Sequence, residues 1–343
     1  MEIKKLVKKE VSALKAYNAK EIPCRIKLDA NESPFGFAYP AKYIAGIKTN
    51  RYPDPEAKAL RQLIAKDLGI KTENILFGNG SDELIHYLIT TFGGPVSYPV
   101  PTFAMYGIIG QALGEKKIEI PLDKGFDLDS DRFLTAVRKE KPKLIFLSSP
   151  NNPTGNCFST DRILKIIEVS RSIVIVDEAY QPFASEEGML PLLKDYRNLV
   201  IMRTLSKIGL AALRLGFMVA DSEIISEVNK VRLPFNINSF SQAIATVVLK
   251  GKKELRSSIK SIVSERERLL EEMEKIESIT PFPSEANFIL FRVNDPDLAY
   301  SALLKKGILV RNLKDAVKGC LRVTVGTPKE NTAFLKALKE IVS

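Results

Sequence analysis

Lys207 lies in the stretch Arg203-Thr-Leu-Ser-Lys-Ile-Gly-Leu-Ala-Ala-Leu-Arg-Leu-Gly216, among hydroxyl, small and glycine residues, with an arginine seven positions on. That composition can hold an anion beside an amine. Ser206 has a hydroxyl to donate to a phosphate oxygen, Arg214 a planar fork for two oxygens, and Gly209 lets a backbone approach closely. The amine of Lys207, partly desolvated and near another cation, is then a nucleophile toward an aldehyde. Read alone, the stretch fits a solvated lysine and a surface ion-pairing arginine equally well.

Other residues narrow the choice. Ser149-Pro-Asn-Asn-Pro-Thr-Gly155 follows one apolar run and Val176-Asp-Glu-Ala-Tyr180 closes the next. A pyridine aldehyde needs a carboxylate at its ring nitrogen, donors at its phenolic oxygen, a ring stacked on its face and a cup for its phosphate. Asp177 can supply the first and Asn152 and Tyr180 the second; Phe103 can stack, and Ser81, Asp82, Ser206 and Arg214 can form the cup. Each also has a structural reading: Asp177 as a helix cap, Asn152 as a turn residue, Phe103 and Tyr180 as packed aromatics. What favours chemistry is their order along the chain and their common place at the ends of apolar runs.

The elements that must position them follow from patterning. Lys143-Leu-Ile-Phe-Leu-Ser148, Ile173-Val-Ile-Val176 and Leu199-Val-Ile-Met202 read as buried strands, with a helix from about Ser159 to Ser170 between the first two. Alternating strands and helices predict an α/β fold with a mainly parallel sheet flanked by helices, whose ligands gather at the carboxyl ends of the strands. Ile75-Leu-Phe-Gly-Asn-Gly-Ser-Asp-Glu-Leu-Ile85 reads as strand, turn and helix, with Ser81 or Asp82 as cap and an anion site at the helix start. His86 on that helix reads as packing or surface. Residues 1 to 27 predict a basic amphipathic helix and a connector containing Tyr17. Leu28 to Gly36 and Arg51-Tyr-Pro-Asp-Pro55 are turns. Helices over Ser239 to Lys250 and Lys252 to about Lys275 lead to a smaller α+β unit, with strands at Asn287 to Val293, Gly307 to Arg311 and Cys320 to Val325.

Composition excludes several classes. The 343 residues, 45% hydrophobic and 27% charged, suit one large domain and a smaller one. No apolar run reaches the ~18 residues of a membrane span, and the charged N-terminus carries no secretory pattern, so cytoplasm is the expected compartment. Three scattered cysteines and one histidine leave no disulfide framework and argue against a metal site. The net charge of +10 suits an anionic substrate and cofactor. No nucleic-acid module accompanies it.

With these residues in view, the chain resembles the fold-type I pyridoxal-phosphate aminotransferases of class I/II. The resemblance runs through Asn31-Glu-Ser-Pro34, Arg51-Tyr-Pro-Asp54, Gly78-Asn-Gly-Ser-Asp-Glu83, Pro101-Thr-Phe103, Pro150 to Gly155, Asp177 to Tyr180, Thr204-Leu-Ser-Lys207 and Gly319 to Gly326. It implies a seven-stranded large domain over residues 38–240, a small domain over 241–343 and an N-terminal arm, 1–37, joining the small domain. It also implies pyridoxal 5'-phosphate as cofactor and Lys207 as Schiff-base lysine and general base, with Asp177 and Tyr180 sharing the catalysis. Ser81, Asp82, Phe103, Asn152, Thr204, Ser206 and Arg214 would bind the cofactor. Tyr17, Asn31, Asn152, Arg311 and Arg322 would read the substrate, Arg322 as the clamp on an α-carboxylate. Tyr52 would reach the cofactor phosphate of the other subunit of a homodimer. Two departures stand out: seven residues separate Lys207 from Arg214 where the family usually has eight, and Phe103 replaces a frequent tyrosine.

Within the family, the Asn-Glu-Ser-Pro loop, Arg-Tyr-Pro-Asp and Val231-Arg-Leu-Pro-Phe-Asn236 resemble enzymes that move an amino group between L-histidinol phosphate and 2-oxoglutarate in histidine biosynthesis. An aromatic or broad-range aminotransferase and a threonine-phosphate decarboxylase remain open on the same fold. A non-catalytic binding module of this fold conflicts with the intact Lys207.

Overall fold

The apolar runs form strands whose side chains are buried on both faces, as a parallel sheet between two helical layers requires. The computed structural model describes residues 1–16, 22–39, 41–314 and 316–342. In chain order the first strands are β1 (Ile26–Leu28), β2 (Ile75–Gly78), β3 (Val96–Val100), β4 (Lys117–Pro121), β5 (Leu144–Ser148) and β6 (Ile173–Asp177). There follow β7 (Leu199–Thr204), β8 (Gly216–Ala220), β9 (Ile279–Pro281), β10 (Phe288–Val293), β11 (Ile308–Asn312) and β12 (Cys320–Thr324). The helices begin with α1 (Lys9–Ser12), α2 (Lys42–Ala45), α3 (Lys58–Leu68), α4 (Ser81–Phe92), α5 (Met105–Ala112) and α6 (Ser130–Glu140). They continue with α7 (Thr160–Val169), α8 (Ser222–Asn229), α9 (Ser239–Lys250), α10 (Lys252–Glu274), α11 (Pro296–Lys305) and α12 (Pro328–Val342).

The larger sheet has seven strands in the order β2-β8-β7-β6-β5-β3-β4. Strands β4, β3, β5, β6 and β7 run parallel to one another, and β8 runs antiparallel to both β7 and β2. Register then sets the chemistry: Ser148 lies opposite Asp177, and Thr204 and Gly78 both lie opposite Gly216. These positions form one sheet edge. Alternate side chains feed two cores: Leu76, Val200 and Met202 pack with α4, α5 and α8, while Phe77, Leu199 and Ile201 pack with α3, α6, α7 and α9.

The smaller sheet has the order β1-β11-β12-β10-β9. β1 pairs in parallel with β11, so the N-terminal arm is stitched into this sheet. Leu321 and Val323 of β12 point into a core shared with α10, α11 and α12. Arg322 and Thr324 therefore point the other way, toward the large sheet. Arg311 lies opposite Arg322 in the register and shares that face.

Two expectations need correction. The N-terminal helix is a 3-10 turn at Ile3–Leu6 and the single turn α1, neither with a buried residue; without packing, so short a basic segment has little to hold a longer helix. Strands β4 and β8 extend the sheet where no strand was expected. Ile244, Ala245, Val248 and Ile262 belong to the larger core, which also takes in Phe288 and Val325, and Leu269 and Met273 to the smaller one, so one crossover between the cores runs along α10. Arg266, buried at that crossover, donates from Nη1 to the carbonyls of Phe183 (2.9 Å) and Ala286 (3.3 Å). No described helix is long and apolar enough to cross a membrane.

Candidate active site

β2 ends at Gly78 and turns through Asn79 and Gly80 into α4, whose 12 residues begin with Ser81. Gly80 holds the cap position at φ +84°, so the expected Ser or Asp side-chain cap does not form and the first-turn N–H groups stay available. A methyl group on Gly80 would lie 2.6 Å from Arg214 Nη2, and one on Gly216 would lie 2.8 Å from the Ser81 nitrogen. The helix start is thus nested between Arg214 and the edge of β8. The seven-residue spacing is spanned by two 3-10 turns, Ser206–Ile208 and Ala211–Leu213, after which Arg214 takes a left-handed conformation at φ +48° and reaches α4. The carboxylate of Asp82 receives an Arg214 hydrogen bond at 3.2 Å. Asp82 therefore orients the arginine, since its own charge would repel a phosphate. Thr204 and Ser206 complete the cup, their hydroxyls 2.9 Å apart, with the Ser206 N–H donating to Thr204 Oγ1 at 3.1 Å. A cleft of about 330 Å³ lined by Phe35, Ser206, Gly209 and Thr324 opens beside it.

Asp177 ends β6 inside the protein. Tyr106 donates its hydroxyl to Oδ2 at 2.7 Å, and the Ala179 N–H donates to Oδ1 at 3.1 Å. Burial pushes the carboxyl up to about 6, more than these two donors and the charge of Lys207 can offset; the negative charge of Asp82 adds to the rise. A carboxylate in that position calls for a cationic partner. Tyr106 is itself fully buried, stacked on Phe146 at 4.8 Å and edge-on to Phe103 at 5.6 Å, so one phenol fixes both the carboxylate and the half-buried Phe103 ring. Burial, followed by the charge of Asp177, keeps its own proton bound.

Lys207 extends from the first 3-10 turn, and its Nζ lies 5.7 Å from the centre of the Tyr180 ring. Among the described residues it forms no salt bridge, which leaves the amine for chemistry. Tyr180 packs edge-on to Phe288 of β10 at 5.1 Å, and its oxygen accepts from Asn31 Nδ2 at 2.9 Å. Arg322 donates from Nη1 to Asn152 Oδ1 at 2.5 Å and from Nη2 to the Asp29 carbonyl at 2.7 Å, with its guanidinium over the Phe288 ring. Asn152 thus uses its oxygen on the arginine and keeps its amide N–H groups as donors. Arg311 is exposed on the same sheet face.

The structure therefore links Asp82 to Arg214, Thr204 to Ser206, Phe103 through Tyr106 to Asp177, Lys207 to Tyr180 and Asn31, and Asn152 to Arg322. Tyr52 joins none of these: it is 80% exposed and stacks on Phe235 at 4.5 Å. Tyr17 lies outside the described residues. His86 is on the surface, within reach of the Thr90 hydroxyl. Tyr106, Thr324, Asn287 and Asn151 were not anticipated. Asn151 binds the Pro101 carbonyl and both the Thr102 and Thr154 hydroxyls, locking the loop that carries Asn152 to the loop that carries Phe103. A buried polar residue inside a Pro-bounded motif was the available signal for Asn151; Tyr106, one helical turn beyond Phe103, offered none beyond apolar spacing.

A family model described as aminotransferase class I and II matches residues 25–338. The histidinol-phosphate aminotransferase of Aquifex aeolicus is 43% identical, covering 98% of this chain and 98% of its own length. That of Thermoanaerobacter pseudethanolicus is 41% identical with 99% of each chain covered. Among solved structures, the histidinol-phosphate aminotransferase from Clostridium acetobutylicum has a TM-score of 0.85 at 27% identity, covering 92% of this chain and 98% of that one. A nearly full-length match, over a sheet edge that gathers a lysine, a buried carboxylate and an anion cup, leads to one conclusion: the chain belongs to the class I and II aminotransferases.

Proposed function

We propose that the chain is a pyridoxal-phosphate-dependent transaminase that exchanges an amino group between L-histidinol phosphate and 2-oxoglutarate, giving imidazole acetol phosphate and L-glutamate. One observation carries the cofactor reading: Asp177, buried and short of positive charge, lies close enough to Lys207 to feel its charge, on the same sheet edge as an uncapped helix start. The residues fit the group. A protonated ring nitrogen would supply the cation that Asp177 calls for, and the phosphate would meet the α4 N–H groups, Ser81, Thr204, Ser206 and Arg214. When bound, the cofactor supplies an aldehyde for the amino group and a ring that withdraws electrons.

The chain's own residues do the rest. Lys207 Nζ, 5.7 Å from the centre of the Tyr180 ring, takes the proton from the substrate Cα. Asp177 would hold its charge opposite the ring nitrogen. Phe103 would cover one ring face. Arg322, already oriented by Asn152 and Asp29, grips the carboxylate of glutamate or 2-oxoglutarate, and Arg311 on the same face takes the phosphate of histidinol phosphate. Histidinol phosphate has no α-carboxylate, so the two arginines overlap in that half reaction. Substrate identity rests on the curated relatives, which share about two residues in five over their full lengths and carry the histidinol-phosphate name.

The working form in this reading is a homodimer with Tyr52 serving the partner's phosphate site. Its support is the exposed apolar surface around the Tyr52–Phe235 stack, which includes Leu233 and Phe240. The reading is tested by mixing cofactor-loaded protein with histidinol phosphate, phosphothreonine and phenylalanine in turn while following visible absorbance. Histidinol phosphate should bleach it fastest by a wide margin; faster reaction with either of the others would reassign the substrate.

A further inference from the structure

Asn31 was expected among the substrate contacts, and its surroundings point elsewhere. It is 1% exposed, and it adopts a left-handed conformation at φ +55° that asparagine tolerates better than most residues. All four of its polar groups are matched. Its N–H donates to Thr324 Oγ1 at 2.9 Å, and its carbonyl accepts from Asn287 Nδ2 at 3.0 Å. Its Oδ1 accepts from the Thr324 hydroxyl at 3.2 Å, and its Nδ2 donates to the Tyr180 oxygen at 2.9 Å. With each group engaged by the protein and only 1% of its surface exposed, Asn31 is held by its neighbours rather than presented to a substrate.

We propose that Asn31 is a positioning residue for Tyr180: Thr324 and Asn287 hold it so that its amide nitrogen meets the phenol oxygen, which leaves the tyrosine's own O–H to donate into the site. The orientation follows from counting donors. Thr324 has one hydroxyl proton, and among the described residues its acceptor is Asn31 Oδ1. Turning the amide over would leave that buried proton without an acceptor and turn the Tyr180 proton back toward Asn31. Asn287 is fully buried and, among the described residues, its own Oδ1 has no hydrogen-bond partner while its nitrogen donates to Asn31. Thr324 also lies two residues beyond Arg322 on the same face of β12. One strand of the smaller sheet thereby aims the substrate arginine and, through Asn31, the phenol.

The functional consequence rests on the cofactor reading, in which Tyr180 donates to the ring oxygen. A donated hydrogen bond disfavours protonation of that oxygen. Weakening it lets the oxygen hold its proton to higher pH. The test uses Asn31→Asp, whose carboxylate accepts the Tyr180 proton, along with Thr324→Val and Thr324→Ser. In cofactor-free protein carrying ¹³C-tyrosine, the Tyr180 Cζ resonance should shift in Asn31→Asp and Thr324→Val and return to its original position in Thr324→Ser. In protein loaded with pyridoxal phosphate, the pH midpoint of the visible absorbance change should rise by about one pH unit in the first two variants and recover in the third. An unmoved resonance and midpoint, together with a raised KM for histidinol phosphate, would overturn the proposal and return Asn31 to the substrate. If the parent protein takes up no cofactor, the functional reading fails, and the cofactor-free resonance decides the orientation of Asn31 by itself.

Discussion

Asp177 shows at the scale of one residue how the fold stores a need for its ligand. Its carboxyl is raised from 3.8 to about 6, so the folded chain binds this proton more tightly than the unfolded chain does. Stability from this group is therefore present at low pH and declines as pH rises from about 4 to 6. In cofactor-free protein, Asp177→Asn removes that decline. The unfolding free energy of the variant minus that of the parent should grow by up to about 3 kcal/mol between pH 4 and pH 8, since each tenfold difference in proton affinity between the folded and unfolded chain is worth about 1.4 kcal/mol. Urea unfolding at both pH values checks it; a difference that grows toward low pH would mean that Asp177 is ionised and well paired by protein donors alone. Lys207, Asp177 and Tyr180 could be singled out in sequence because each sits in a short motif at the end of an apolar run, whereas Arg322, in the middle of β12, entered only through the family resemblance. Tyr106 could not be singled out. It lies 71 residues from the carboxylate it serves, and one turn after Phe103 it reads as core packing.

At the scale of elements, the start of α4 depends on a residue with no side chain. Gly80 combines a positive φ at extended ψ with close approach to Arg214, so Gly80→Ala strains the backbone by roughly 1–3 kcal/mol and displaces the arginine. Cofactor affinity, read by quenching of protein fluorescence, should fall about tenfold or more while far-ultraviolet dichroism stays unchanged. Unaltered affinity would remove Arg214 from the phosphate site. Long elements with one dominant pattern were readable, among them β5, β6, β7, α9 and α10. Strand β4 was not, because Lys117-Ile-Glu-Ile-Pro121 offers only two apolar residues in an alternation too short to stand out and closed by a proline. Strand β8 was hidden by its place directly after the Lys207 to Arg214 stretch, where the turns end and the chain doubles back antiparallel to β7. The N-terminal helix failed for the opposite reason, a helical pattern that buries no residue, its one turn α1 meeting α5 through the Gln111 amide on the Glu10 carbonyl.

At the scale of the molecule, two cores joined along α10 bring Arg322 and Asn31 from one sheet against Asn152 and Tyr180 of the other. The length of α10 marks it in sequence as a link between two domains, while its single amphipathic pattern leaves the crossing point within its 23 residues unmarked. Tyr52 belongs to a larger scale again. Mixed dimers of Tyr52→Phe and Lys207→Ala subunits should recover one near-normal site per dimer, because the intact lysine meets the intact tyrosine across the interface. Recovery limited to the weakened Tyr52→Phe rate would place Tyr52 in its own subunit's site, and a monomer at working concentration would remove the dimer altogether. The central claim, that Lys207 runs an amino transfer from histidinol phosphate, is tested most directly by measuring glutamate formed from histidinol phosphate and 2-oxoglutarate with the parent enzyme and with Lys207→Ala. The parent should form glutamate in amounts equal to the histidinol phosphate consumed, and Lys207→Ala should lose nearly all turnover while still binding pyridoxal phosphate; glutamate formation by Lys207→Ala at the parent's rate would contradict the account.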